Sequence, residues 1–119
     1  MEKHKKSTNL YAQDGKLVAI SLGAKLENYL YEKIKESNGE MPPLDPFIVQ
    51  DIIKQISSYL EKFVIENATP VLLTSASIRR YIRKIIEPYL SNVVVLSYSE
   101  IESRTKLNIL GKVEIDENK

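Results

Sequence analysis

Short apolar runs alternate with longer amphipathic stretches along most of this 119-residue chain, and this alternation constrains the fold more than any other feature. Runs with the length and composition of strands occupy residues 16–21, 70–74, 93–97 and 107–115. Stretches with apolar residues at helical spacing occupy residues 24–37, 45–67 and the segment after Ser75. The predicted order is β-α-α-β-α-β-β. Because strands joined through helices favour parallel pairing, we expect an α/β domain with a small mixed β-sheet of about four strands, covered by about three helices.

The predicted helices begin and end at residues with known capping behaviour. Asn38-Gly39 should end the first helix, because a glycine readily adopts the left-handed conformation that follows a helix. Asp45 should be the N-cap of the second helix, with Pro46 at its first position. Ser75 is predicted to cap the third helix.

The second helix has the widest apolar stripe, and we expect it to contribute most to the core. Its stripe consists of Ile48, Ile52, Ile56, Tyr59, Leu60 and Phe63, widened by Val49, Ile53 and Val64. A stripe this wide is also where we expect apolar side chains to remain exposed.

The pattern divides the chain into three segments. Residues 1–15 are predicted to be a flexible arm or linker that ends in the turn signal Asp14-Gly15. Residues 16–115 should form a single α/β domain, and residues 116–119 a polar tail.

Composition argues against several classes of function. The 17 Lys and Arg residues nearly balance 16 Asp and Glu residues, and a net charge of +1 argues against a dedicated nucleic-acid binder. The absence of Cys and the single histidine, His4 in the arm, exclude thiol catalysis and two-histidine metal sites. No apolar run approaches the roughly 18 residues that a membrane span requires. Composition therefore removes many kinds of catalytic site, and we expect no metal and no cofactor.

The third helix carries four cations, Arg79, Arg80, Arg83 and Lys84, on the arc opposite its apolar residues. They form a solvated helix face, a contact surface for an acidic protein partner, or a surface for the phosphates of a nucleic acid, which the net charge of +1 argues against. Glu87 can pair with Arg83 one turn earlier, which would partly neutralise the group.

Seven tyrosines and no tryptophan make tyrosine the main aromatic residue of the chain. Tyr29, Tyr59 and Tyr89 fall on apolar arcs and are predicted to lie in the core. Tyr31, Tyr81 and Tyr98 are left as candidates for an interface, because tyrosine combines contact area with a polar end.

An alternative function rests on Thr74-Ser75-Ala76-Ser77, where a strand passes into a helix. The N–H groups at a helix N-terminus bind anions, so Ser75 and Ser77 could cap the helix or hold a phosphate in a small anion- or nucleotide-binding module. No glycine-rich loop or P-loop lysine accompanies them.

Three segments together carry a family resemblance: PVLLTS at 70–75, IRRYIRKIIE at 78–87 and VLSYSEI at 95–101. The series resembles the C-terminal end of the FlhA family of flagellar and type III secretion export-gate proteins. That end typically reads as a PVLL-S strand, an R-x-Y-[IL]-R-[RK] helix and a V-L-S-Y-x-E-[IL] strand end. The likeness covers residues 16–115. Gly23-Ala24 and Ala76 depart from the family's usual helix-start residues.

The resemblance implies a non-catalytic docking module at the cytoplasmic face of the bacterial inner membrane. Its implied partners are export chaperones with their cargo, export ATPase components, other subdomains of the same protein and neighbouring protomers of a ring. The chain would then be the last cytoplasmic subdomain of a longer protein whose missing N-terminal part meets the membrane. The candidate partner-binding residues are Arg79, Arg80, Arg83, Lys84, Tyr81, Tyr98 and Glu100. Both flagellar and virulence systems remain open.

Overall fold

The computed structural model describes residues 15–115, so the predicted arm up to residue 14, with His4, and the predicted tail lie outside the described residues. The elements are β1 Lys16–Leu22, α1 Ala24–Glu36, α2 Pro46–Ile65, β2 Val71–Thr74, α3 Arg79–Ile86, β3 Val94–Ser97, a 3₁₀ turn Tyr98–Glu100 and β4 Lys106–Val113. The predicted α/β class, with four strands and three α-helices in the expected order, is confirmed.

The four strands form one sheet in the order β3-β2-β1-β4, and all three pairings are parallel. The sheet is therefore parallel and not mixed. Residues 98–105 do not close a hairpin between β3 and β4, but carry the chain back past β2 and β1. Residues 17–20 of β1 are buried, so their backbone groups need a strand on each side, and β4 supplies the second.

The two faces of the sheet are covered differently. Val18, Ile20 and Leu22 of β1 belong to the main apolar cluster, to which all three α-helices contribute. The opposite face holds a smaller cluster of Leu17, Ala19, Val71, Leu73 and Leu96, with Val94 and Ile101 packed against it. No α-helical residue within 15–115 joins the smaller cluster. Because Ile101 does, the connection 98–105 passes over the helix-free face.

The predicted ends of the first two helices are confirmed. The N–H of Gly39 donates to the carbonyl of Ile34 at 3.0 Å, and Gly39 has a φ of 85°. The carboxylate of Asp45 accepts a hydrogen bond from the N–H of Phe47 at 2.9 Å, with Pro46 at the first helical position. Local sequence determines these ends because each cap is made within a few residues.

The third helix starts later than predicted. Ser75 is not its N-cap, because α3 begins at Arg79 and Ile78 occupies the N-cap position without a side-chain cap. The chain first makes a turn in which the N–H of Ile78 donates to the carbonyl of Ser75 at 3.3 Å. This turn buries the Ile78 side chain completely. The capping preference of Ser75, on which the prediction rested, gave no sign of this burial.

The apolar stripe of α2 packs as predicted except at its C-terminal end. Ile52, Ile56 and Phe63 are fully buried. Val64, which was predicted to widen the stripe, is 76% exposed, and the neighbouring Ile65 is 75% exposed. Large apolar side chains are thus exposed at the two ends of α2, where Phe47 is also 84% exposed, and not along its length.

Ile56 and Ile65 of α2 are a buried and an exposed isoleucine, so the same substitution at both sites measures what burial contributes to stability. Ile56→Ala should lower the free energy of unfolding by about 2–5 kcal/mol, because it leaves a cavity in the main cluster. Ile65→Ala makes the same chemical change at an exposed site and should alter the free energy by less than about 0.5 kcal/mol. Urea unfolding followed by circular dichroism gives both values. Equal losses of unfolding free energy in the two variants would contradict this packing.

Candidate protein-docking surface

The helix α3 presents one apolar and one charged face, as its sequence predicted. Ile82, Ile85 and Ile86 are buried in the main cluster beneath the helix. This packing fixes the axis of α3 and holds its charged side chains on the outer side.

The four cations of α3 do not form a single patch. Arg79 and Arg83, one turn apart, line a groove of about 210 Å³ that runs beside β3. Arg80 and Lys84 line a second hollow, of about 280 Å³, against the connection between α1 and α2. The one-turn spacing keeps the two members of each pair on one side of the helix, and the offset of one residue, about 100° of rotation, turns the two pairs to different sides.

Arg79 and Glu100 are brought together, and both stabilise β3. The Arg79 Nε lies 2.9 Å from Glu100 Oε1 and donates to the Val95 carbonyl at 3.1 Å. Glu100 Oε1 also accepts from the N–H of Ser97 at 2.9 Å. The two side chains are only 33% and 26% exposed, so much of each is already engaged within the fold.

Arg83 and Glu87 form the predicted pair one turn apart. Their closest nitrogen and oxygen atoms are 4.0 Å apart, and each side chain is 60% exposed. A pair this exposed contributes little to stability, so Arg83 stays available to a partner.

Two tyrosines have the reverse of their predicted positions. Tyr81, predicted for an interface, is buried; its hydroxyl donates to the Gly39 carbonyl and accepts from Arg80 Nη2 at 2.9 Å. Tyr81 therefore joins α3 to the connection between α1 and α2. Tyr89, predicted for the core, is exposed, because α3 ends at Ile86 and its helical spacing does not continue.

The segment proposed as an alternative anion site already holds a carboxylate of the protein. Glu27 Oε2 accepts from the N–H of Ser75 at 2.9 Å and from Thr74 Oγ1 at 3.2 Å. The hydroxyls of Ser75 and Ser77 lie 3.4 Å apart. An anion that used the Ser75 amide would have to displace Glu27 and would meet its negative charge, so this geometry does not favour anion binding.

Tyr98 lies at the carboxyl end of β3 and keeps a half-exposed ring, as expected for an interface residue. Burial of its hydroxyl raises the pKa of Tyr98 above its ordinary value, a side-chain hydrogen bond with Ser21 lowers it in part, and the negative charge of Glu27 raises it again. Tyr98 is thus electrostatically linked to the Glu27 carboxylate that holds Ser75.

Glu114 has a structural role that the sequence did not reveal. Its carboxylate accepts from the backbone N–H groups of Leu26 at 2.7 Å and Lys25 at 3.1 Å, so it caps the start of α1 from the end of β4. The Gln55 side chain bonds the Glu114 backbone at both N–H and carbonyl. A side chain at Gly23 would collide with the Glu114 carboxylate. The only sequence signal was the missing cap at Gly23, because Glu114 lies 88 residues beyond Leu26, whose N–H it binds.

Within residues 15–115, no helix combines the length and the apolarity needed to cross a bilayer. The same residues bring together no group of three or more His, Cys, Asp or Glu side chains that could hold a metal ion.

Comparison with known proteins identifies the family. The sequence profile of the FHIPEP family matches residues 3–106. The flagellar biosynthesis protein FlhA of Caulobacter vibrioides is 36% identical over 101 residues, which cover 84% of this chain and 14% of that protein. The chain therefore belongs to the FHIPEP family, and the resemblance expected from its motifs is confirmed.

Solved structures agree with this assignment. The Chlamydia pneumoniae CdsV protein, in its complex with CdsO, matches 90% of this chain and 32% of its own chain at 28% identity and a TM-score of 0.70. The nonameric EscV cytosolic domain of a type III secretion system matches 88% of this chain and 31% of its own at 32% identity and a TM-score of 0.63. The chain thus spans about a third of the length of these structures.

A first prediction concerns the Arg79–Glu100 pair. Arg79→Met should lower the free energy of unfolding by about 1–2 kcal/mol, because the Val95 carbonyl and Glu100 lose a charged donor while the apolar stem is kept. Arg83→Met removes an exposed cation from the same helix and should cost less than about 0.5 kcal/mol. Urea unfolding measures both variants. Equal costs would mean that Arg79 does not support β3.

A second prediction concerns the ionisation of Tyr98. Its phenol should titrate above about 10, as ultraviolet difference spectra between the parent chain and Tyr98→Phe would record. Because the unfolded phenol ionises at lower pH, the stability that Tyr98 contributes is full below about pH 10 and is lost as pH rises through the folded pKa. Glu27→Gln should lower this pKa, while Glu61→Gln, on α2, should not. A pKa at or below about 10 would contradict the assignment.

Proposed function

We propose that this chain is a cytoplasmic subdomain of a flagellar or type III protein-export gate. In this role it is a non-catalytic docking module for export chaperones with their cargo and for export ATPase components, within a ring below the bacterial inner membrane. The observation that carries the proposal is the match of 90% of this chain to CdsV, a relative solved in complex with a second protein. The nonameric assembly of the EscV cytosolic domain supports the ring.

Three carboxylates bond to the backbone of the same domain, which also supports docking over catalysis. Glu27, Glu100 and Glu114 each accept backbone hydrogen bonds that hold the fold together. A general acid or base must instead be able to reach a substrate and change its protonation during the reaction. These carboxylates therefore have a structural explanation that needs no reaction.

The residues left for a partner are fewer than the sequence indicated. Arg80, Arg83 and Lys84 are exposed on a helix fixed by its buried face, and Tyr98 is half-exposed. We assign partner contact to these four, and a supporting role beneath them to Arg79, Glu100 and Tyr81. Exposed cations at an interface mainly steer association, so they suit an acidic surface on the partner.

The test is a charge reversal of the exposed α3 cations in the export gate of the source bacterium. Arg80→Glu, Arg83→Glu and Lys84→Glu together should weaken chaperone binding about tenfold or more and reduce secretion, because attraction to the partner becomes repulsion. Co-purification of chaperones with the cytoplasmic region and the amount of secreted cargo are the two readouts.

A matched control changes the net charge equally at exposed sites elsewhere: Lys35→Glu, Lys54→Glu and Arg104→Glu. The control should leave both readouts intact, and circular dichroism should find both triple variants folded. The proposal fails if the α3 variant secretes and binds chaperones normally, or if the control loses as much.

A further inference from the structure

The sheet has two edge strands, β3 and β4, and their outward-facing backbone groups have different surroundings. In an edge strand, the N–H and C=O groups of alternate residues face away from the sheet and can pair with another chain. Proteins usually block such edges with charged side chains, short strands or covering elements. The residues around each edge strand therefore determine whether that edge can bind another chain.

The edge of β3 is closed by side chains of the same domain. The N–H of Val94 donates to the Pro70 carbonyl at 2.9 Å, so Val94 faces β2 and the next residue faces outward. Arg79 donates to the outward carbonyl of Val95, and Glu100 accepts from the outward N–H of Ser97. With only four residues, this edge offers little to an incoming strand.

The edge of β4 has no such closure among the described residues. The N–H of Lys106 donates to the Gly15 carbonyl at 2.9 Å, so Lys106 faces β1 and the outward groups before the register shift belong to Leu107 and Ile109. The strand has eight residues, twice the length of β3. Within 15–115, no side chain corresponding to Arg79 or Glu100 bonds these outward groups.

The side chains of β4 favour the binding of a further strand at this edge. Leu107 and Ile109 pair with Leu17 and Ala19 of the helix-free face, yet each is 42% exposed. A long edge strand that exposes apolar side chains and unpaired backbone is a template for a further strand.

The charged side chains of β4 indicate which kind of strand can pair with it. Lys106 and Lys112 are exposed near the two ends of β4. A second copy paired through β4 would bring four lysines to the seam without a carboxylate, because this strand contains no acidic residue, and like charges close together across strands are destabilising. A strand with carboxylates at its ends would instead meet a cation at each end.

We propose that β4 receives an extended peptide segment of a partner protein, with alternate apolar residues and acidic residues at both ends, as a fifth strand of the sheet. The main chain of Leu107 and Ile109 supplies the hydrogen bonds, and their side chains supply the apolar contact. The inference rests on the proposed docking function for the role of the partner, but not for the pairing itself.

The test uses the whole chain and the probe acetyl-Glu-Thr-Val-Thr-Val-Glu-amide, whose two Val residues fall opposite Ile109 and Leu107 when its Glu residues fall opposite Lys112 and Lys106 in antiparallel pairing. At saturating probe, deuterium exchange at the amides of Leu107 and Ile109 should slow about tenfold or more, because these outward groups become hydrogen-bonded. The amide of Ser97, which already donates to Glu100 on the closed edge, should not change. Nuclear magnetic resonance follows all three amides in one sample.

Two control peptides separate pairing from general attraction. A probe with its central amides N-methylated cannot pair and should not slow exchange, and a probe with Lys in place of both Glu residues should bind about tenfold more weakly. In the protein, Lys106→Glu with Lys112→Glu should reverse the preference between the Glu and Lys probes. These changes lie on exposed side chains, so the variant should fold.

Several results would overturn the inference. One is unchanged exchange of Leu107 and Ile109 up to about 1 mM probe; another is equal binding of the N-methylated probe. Protection of these amides that grows with protein concentration, without probe, would assign the edge to a second copy. Because the titration needs no secretion machinery, its failure is distinguishable from failure of the export experiment.

Discussion

The pairing of β4 with β1 joins the end of the described chain to its beginning, and much of the remaining structure depends on it. It extends along the whole of β1, from Lys16 to Leu22, and so completes the hydrogen bonding of a buried strand. It also brings Glu114 to the start of α1 and to Gln55 of α2. One strand pairing thereby positions two helices relative to the sheet.

Gly111 contributes to the same arrangement. The ring of Tyr59 on α2 lies against its backbone so closely that a side chain at Gly111 would collide with it. The register shift after Ile109 occurs beside this contact. Close approach of a helix to an edge strand thus needs a glycine in the strand, and it anchors α2 above β4.

The charged residues of α3 show how tertiary structure divides one sequence motif into different tasks. Arg79 is directed at the edge of β3, where it meets Glu100 and the Val95 carbonyl. Arg80 lies over the ring of Tyr81, 4.9 Å from its centre. Arg83 and Lys84 remain exposed. Four cations that look alike in the sequence therefore have two roles, support of the fold and a surface for partners.

Local patterns predicted the elements well wherever the determining contact is short in sequence. Asp45 with Pro46 marked the start of α2, and Gly39 marked the end of α1, because each cap is made within a few residues. The start of α3 was predicted too early, because the burial of Ile78 outweighed the capping preference of Ser75. Tyr89 was placed in the core because periodicity does not reveal where a helix ends. Tyr81 was placed at the surface because its contact with Gly39 is distant in sequence.

By itself, the sequence determined the α/β class, the order of the elements and, through its motifs, the FHIPEP family. These depend on periodicity and local residue type, which are legible along the chain. Tertiary structure alone decided that the sheet is parallel, that Glu27 and Glu114 bond the backbone of distant segments, and that, among residues 15–115, side chains close one sheet edge and not the other. Each of these results from contacts between residues far apart in sequence, whose partners no local pattern specifies.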